Sequence, residues 1–209
     1  MFHRDLAMEA AVVFVDELSQ ACEKIQIAGS LRREARDVKD IEFVALPITT
    51  VEYNLDLFGE VVGTRQVSEL EGLLMARLDP DADWDWELDP DLPRNGPRYK
   101  RLRHKPTGIC CDLFLTTSRG WGGAMVIRTG PAAFSRALMR LARRQGKHVA
   151  DGYLLHNHPK HGSQACEKGA DCWRITNTST ERGFLDALGL PWIRPSERSE
   201  AWLWRHLKN

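Results

Sequence analysis

The sequence has no long hydrophobic run. No apolar stretch reaches the roughly 18 to 20 residues that a membrane helix needs, so no membrane partner is expected. A signal-peptide pattern is missing too, because the first residues, MFHRDLAMEA, mix charges into the apolar positions. A cytoplasmic setting is therefore the expectation. Cysteine is scarce, with five in 209 residues, at positions 22, 110, 111, 166 and 172. In that setting they read as free thiols or metal ligands rather than disulfides. Net charge is absent, with 29 Lys and Arg against 29 Asp and Glu. There is no internal repeat and no low-complexity tract.

What is present suits one large domain or two small ones. A hydrophobic content of 43% is ample for a core, and 28% charged residues is ordinary for a soluble chain. The zero net charge hides an asymmetry. Residues 126–209 carry 14 Lys and Arg against 7 Asp and Glu, and residues 1–125 carry 15 against 22. One segment explains the acidic half: DPDADWDWELDPD, residues 79–91, holds seven acids and no base. It reads as a solvated loop, with masking of a basic surface or mimicry of nucleic acid as alternatives.

Coarse periodicity gives an α+β chain. Residues 4–23 predict a helix, 24–29 a short strand, and 30–35 a turn of helix capped by Ser30. DIEFVALP (40–47) is a buried strand that Pro47 ends. Residues 66–77 predict a helix. RYKRLRH (98–104) and ICCDLFLTT (109–117) flank the turn signal KPTG and predict a hairpin. After Gly122-Gly123 comes a short apolar stretch, then a helix starting at Pro131 and ending at Gly146. Residues 179–190 predict a helix capped by Thr180, and a loop with a last short helix closes the chain.

Asp40 and Glu42 stand two apart on a predicted strand, so both carboxylates share one face. Adjacent carboxylates repel, and a cation is the natural reason to hold them together. All-oxygen ligands on a rigid strand suit Mg²⁺. A third acid, Asp112, lies among apolar neighbours in ICCDLFL, where an unpaired carboxylate is costly. Just upstream, Gly29-Ser30 follows a strand and opens a short helix. Backbone N–H groups there can bind phosphate, and Arg32 or Arg33 can add a guanidinium fork. A phosphate binder and metal-ligating acids in one strand–turn–strand unit is the layout that two-metal phosphoryl transfer needs.

These residues carry a resemblance. GSLRR followed by DIE is similar to the nucleotidyltransferase signature, and the wider pattern resembles the family X, polymerase-beta-like DNA polymerases. CDLFL resembles that family's third-carboxylate strand, RTGPAAFSRAL its short Thr-Gly motif and following helix, and LGLPWIRPSERSE its C-terminal ending. The likeness runs over almost the whole chain in the family's order. It implies a nucleotidyltransferase palm of mixed sheet and helices over 1–125. A small C-terminal α+β subdomain would follow over 126–209 and bind the nucleotide and base pair.

It also implies roles for particular residues. Asp40, Glu42 and Asp112 would hold two Mg²⁺ or Mn²⁺ ions, with Asp112 assisting deprotonation of a primer 3′-hydroxyl. Ser30 and Arg33 would hold the β and γ phosphates, with Gly29 permitting close approach. Thr129 and Gly130 would contact the incoming sugar and base. The partners would be a dNTP and primer-template or gapped DNA, and a monomer is expected. The chain departs from the family at Glu42, where polymerase beta has Asp. It also departs at Ile127-Arg128, where cellular members carry an aromatic pair, and at Ser135 and Met139, in place of Asn and Arg. No lyase or helix-hairpin-helix segment is evident, as in minimal viral, phage or prokaryotic-type members.

Three further features bear on partners. The helix after Pro131 predicts an apolar face of Phe134, Ala137, Leu138 and Leu141 opposite Arg136, Arg140, Arg143 and Arg144. With Arg101 and Arg103 in the basic RYKRLRHK segment, these are candidate DNA-backbone contacts. His156, His158, His161, Cys166 and Cys172 offer ligands for a structural Zn²⁺, against a plain loop with free thiols. Cys110 and Cys111 read as packing residues. The activity expected is addition of dNMP to a DNA 3′-end with release of pyrophosphate, in gap filling or repair. The rivals are transfer to a non-DNA acceptor, untemplated terminal transfer, and a catalytically dead DNA-end binder.

Overall fold

A computed structural model describes residues 1–150, 152–156, 175–176 and 178–206. The first part of the chain runs β1 (Phe2–His3), α1 (Arg4–Ser19), β2 (Cys22–Ile27), α2 (Gly29–Arg32), β3 (Asp37–Val38) and β4 (Asp40–Pro47). A hairpin of β5 (Thr49–Leu55) and β6 (Val61–Ser68) follows, then α3 (Glu69–Arg77), β7 (Trp86–Leu88), β8 (Arg94–Gly96), β9 (Tyr99–His104) and β10 (Cys110–Leu115). The remainder comprises α4 (Trp121–Thr129), α5 (Ala132–Arg144), β11 (Lys147–Ala150), β12 (Tyr153–His156), β13 (Ile175–Thr176), α6 (Glu181–Asp186), a 3₁₀ turn (Pro195–Glu197) and α7 (Glu200–His206). None of the described helices is long and apolar enough to cross a membrane.

The central sheet has the order β2-β4-β10-β9-β7, with β8 paired to β9. β4 and β10 are parallel neighbours, and the other pairs along this sheet are antiparallel. Alternation sends Ile41, Phe43, Ala45, Cys111 and Leu113 to one face. There they meet Ala7, Ala11, Phe14 and Leu18 of α1, and Leu70 and Leu74 of α3. The Phe14 ring stacks on Phe43 at 4.6 Å and meets the edge of Trp86 at 4.7 Å. The opposite face is divided along the strand direction. Its far end, Val44, Leu46 and Phe114, packs with Trp121 and Met125 of α4. Its near end carries Asp40, Glu42, Cys110 and Asp112, which are only half-buried. β4 is therefore apolar on both faces where α4 covers it and acidic where the cover stops.

A second core gathers Val126, Phe134, Leu138, Leu141, Phe184, Leu185, Ile193 and Leu203. α4 serves both cores, because Met125 packs beneath the sheet and Val126 packs into this second cluster. α5 is amphipathic as expected, with Phe134, Ala137, Leu138 and Leu141 buried and Arg136, Arg140, Arg143 and Arg144 exposed. Thr180 caps α6 by accepting from the Gly183 N–H at 3.0 Å.

Some elements differ from the sequence reading. The Gly-Ser helix starts at Gly29, with Ala28 as its cap residue rather than Ser30. The Ala28 N–H still bonds the Glu42 carbonyl at 2.7 Å, so the turn begins directly off the sheet. Residues 49–68 form a long exposed hairpin, and the strand takes 66–68 from the predicted helix. Residues 121–129 are helical rather than a bare apolar stretch. The acidic segment is not a free loop. Trp84 and Trp86 are buried, and Glu87, Asp89 and Asp91 pair with Arg101 and Arg103 of β9. The zinc reading falls outside the described residues for His158, His161, Cys166 and Cys172, while His156 lies on β12.

Gly122 sets how closely α4 approaches the start of α6. A Cβ there would overlap the Thr180 carbonyl and the Glu181 nitrogen, both backbone atoms. Gly122→Ala is expected to cost about 2 to 3 kcal/mol through overpacking. Urea unfolding checks this, and a loss below about 0.5 kcal/mol would contradict so close a contact.

Candidate active site

The parallel register of β4 and β10 places Asp112 directly opposite Glu42, with Asp40 two residues back on the same face. Adjacent strands stand about 4.8 Å apart, so the three carboxylates share one patch. Their mutual influence is evident in Glu42. Burial, then the charges of Asp40 and Asp112, push its pKa up to about 7, against the pull of Arg128 and Arg33. Asp40 is also raised, first by burial and then by Asp112.

The Gly-Ser bend abuts this patch. Gly29 has φ +61°, and a Cβ on it would overlap Glu42 Oε2. Only glycine combines the left-handed backbone with so close a carboxylate. Ser30 lies in the first turn beyond it. Arg33 donates from Nη1 to the Thr129 carbonyl at 2.6 Å. Arg32 is engaged differently. It reaches Glu181 through two hydrogen bonds of 2.8 and 2.7 Å and the Thr129 hydroxyl at 3.0 Å. Glu181 also accepts from Arg198 at 2.9 Å. Burial alone would raise the Glu181 pKa, but the Arg32 hydrogen bonds and the Arg198 charge hold it below its usual value. The Arg198 side chain is fully buried. This partly buried ion network ties the Gly29-Ser30 bend to the C-terminal core. The sequence reading gave Arg32 no partner of its own and missed Glu181 and Arg198.

Between the sheet and the second core lies a cavity of about 680 Å³, with Glu42, Asp112, Tyr99, Phe114, Ile127, Arg128 and Met139 in its lining. Arg128 lies 3.7 Å over the Phe114 ring and faces the charges of Glu42 and Asp112. Thr129 is fully buried, and Gly130 caps α4, where a Cβ would overlap the Phe134 ring. Ser135 donates to the Ile127 carbonyl at 2.8 Å.

The candidate DNA arginines separate into two groups. Arg136, Arg140, Arg143 and Arg144 present exposed side chains on α5. Arg101 and Arg103 are paired with acids. Arg103 bonds Glu87 and Asp91, while Arg101 joins Asp89 at 2.7 Å to Asp112 at 2.6 Å. Burial works against the Arg101 charge, but its hydrogen bonds to Asp89 and Asp112 outweigh it and raise its pKa. Asp89 escaped the sequence reading because nothing in a proline-flanked acidic run marks one acid as buried.

The donor set fits a hard divalent cation, since three carboxylate groups face one patch that carries excess negative charge. Among the described residues, no three His, Cys, Asp or Glu side chains are gathered closely enough to hold an ion as they stand. The Asp112 side chain is drawn toward Arg101 and Tyr99.

Residues 124–199 match the family model of the DNA polymerase beta thumb. The chain is also 29% identical over 107 residues to DNA polymerase lambda of Rattus norvegicus, covering 51% of this chain and 17% of the relative. The two similarities support a relationship to the family X polymerases. The aligned stretch is about a sixth of that relative's length. The thumb match begins after Asp112, so it reaches the Thr129-Gly130 turn and the Glu181–Arg198 pair but not the three carboxylates.

The charge crowding has a measurable consequence. Folded Glu42 keeps its proton up to about pH 7, whereas the unfolded carboxyl ionises near its ordinary value of 4.5. The folded state binds more protons across that window, so stability falls as pH rises through it and levels off above it. Glu42→Gln removes this loss. With chelator present, the variant is expected to gain about 2 to 3 kcal/mol over wild type at pH 8 and nothing at pH 4. Denaturant melts at both pH values test this, and an equal offset at each would contradict the crowding.

Proposed function

We propose that the chain is a metal-dependent nucleotidyltransferase of the family X type, adding dNMP from dNTP to a DNA 3′-hydroxyl and releasing pyrophosphate. The observation that carries this reading is the contact between the Gly29 bend and Glu42, beside the Glu42–Asp112 register pair. Asp40, Glu42 and Asp112 would hold the divalent ions. Bound there, Mg²⁺ or Mn²⁺ supplies the positive charge that neutralises phosphoryl oxygens and acidifies the attacking hydroxyl.

The chain's own groups do the rest. The N–H groups of the α2 turn and the Ser30 hydroxyl receive the outer phosphates. Arg33 spends one donor on Thr129 and keeps its other N–H groups for phosphate oxygens. Asp112 accepts the proton of the 3′-hydroxyl. Thr129 and Gly130 follow the lining residues Ile127 and Arg128 and would hold the chain beside the sugar, and Met139 lines the side where a base pair would lie. The exposed arginines of α5 attract the nucleic-acid backbone. Arg128 brings a cation to the cavity that an aromatic side chain would not.

Primer extension on gapped, recessed and blunt DNA, and on RNA, tests the reading. One-nucleotide addition to gapped or recessed DNA is expected, with pyrophosphate formed in equal amount. Extension of RNA alone, or of no acceptor, would contradict it. Asp112→Asn is expected to lower the addition rate at least about a thousandfold, with DNA affinity within about twofold of wild type. Arg33→Ala is expected to raise the nucleotide KM at least about tenfold, and an unchanged KM would remove Arg33 from the phosphate site.

A further inference from the structure

Asp112 is gripped through one oxygen. Arg101 Nη1 at 2.6 Å and the Tyr99 hydroxyl at 2.8 Å both donate to Oδ1. No described residue donates to Oδ2. Arg101 is itself fixed from behind, its Nε donating to Asp89 Oδ2 at 2.7 Å. Asp89 is 3% exposed. It is locked by the Asp91 N–H on Oδ1 at 3.1 Å, by the Cys110 thiol on Oδ2 at 3.5 Å, and by its own N–H on the Arg101 carbonyl at 3.1 Å. Asp89 lies just past the end of β7, and strand pairing carries it next to Arg101 without contact with the cavity.

A guanidinium alone against Asp112 would orient it but also cancel the negative charge a divalent cation requires. A carboxylate on the far side of the same guanidinium restores that charge balance. We propose that Asp89 and Arg101 are positioning residues for Asp112. They deliver a directional hydrogen bond to Oδ1 with little net charge and leave Oδ2 aimed for the cation and the 3′-hydroxyl. Tyr99 adds a neutral second donor to the same oxygen. This inference rests on the proposed role of Asp112. It gives the acidic segment 79–91 a function in the site, since that segment supplies the balancing charge.

The test compares Mn²⁺ affinity, by electron paramagnetic resonance on the full chain without nucleic acid, with single-turnover nucleotide addition. Asp89→Asn throws the whole Arg101 charge onto Asp112, so Mn²⁺ binding is expected to weaken about tenfold. Arg101→Gln removes that charge, so Mn²⁺ binding is expected to tighten by a few fold. Both variants are expected to slow addition at saturating nucleotide about tenfold or more, with the nucleotide KM within about twofold. Tyr99→Phe removes a neutral donor and leaves the ion pair in place. It is expected to slow addition with Mn²⁺ affinity unchanged, and it keeps the test open if Asp89→Asn fails to fold.

Shifts of Mn²⁺ affinity in the same direction for Asp89→Asn and Arg101→Gln would overturn the inference. So would wild-type addition rates in either, or altered Mn²⁺ affinity in Tyr99→Phe. A wild-type chain that binds no Mn²⁺ at this patch would instead remove the proposed function, and the inference with it.

Discussion

Three carboxylates crowd the uncovered end of a parallel strand pair, and their repulsion organises what surrounds them. Parallel pairing of β4 with β10 sets Glu42 against Asp112 and keeps Asp40 on the same face. α4 covers the rest of that face with Trp121 and Met125, so the acids sit where apolar packing stops. The cost is visible in the raised pKa of Glu42. Sites of this kind persist only where something offsets the charge. Here Arg101, Arg33 and Arg128 approach from three different elements, and each has a second contact that limits how much charge it cancels. Arg101 leans on Asp89, Arg33 on the Thr129 carbonyl, and Arg128 on the Phe114 ring.

The bend that would receive phosphate is joined to the C-terminal core by buried ions. Arg32, Glu181 and Arg198 link α2 to α6 and to the loop before α7. Buried ion pairs contribute little net stability compared with apolar packing, but losing one partner leaves a costly charge. Among the described residues, Nε and Nη1 of Arg198 are buried without a hydrogen-bond partner, so the network carries a penalty already. Its geometric effect is to hold Thr129 between Arg32 and Arg33, which fixes the end of α4 to the glycine bend.

Much of this was legible in the sequence. The alternation of DIEFVALP and ICCDLFL told which residues share a face, because strand periodicity is a covalent property of extended chain. The helix beginning after Pro131 and the Thr180 cap were readable from local chemistry. What escaped depended on pairing between distant segments. Asp89 looks like any exposed acid until β7 pairs with β9. Ala124 to Thr129 read as a bare apolar stretch, since the two glycines before it conceal a helix that needs them for close packing. The hairpin at 49–68 has exposed residues on both faces along most of its length, so no buried stripe announced it.

The thumb match and the charge pattern agree, but they rest on different parts of the chain. The thumb match covers 124–199, and the carboxylates lie before it. Crystals soaked in Mn²⁺ and examined by anomalous scattering would test the central claim most directly. The account predicts anomalous peaks within bonding distance of Asp40, Glu42 and Asp112, with Arg101 still on Oδ1 of Asp112. Manganese bound elsewhere, with that carboxylate patch empty at saturating concentration, would contradict it.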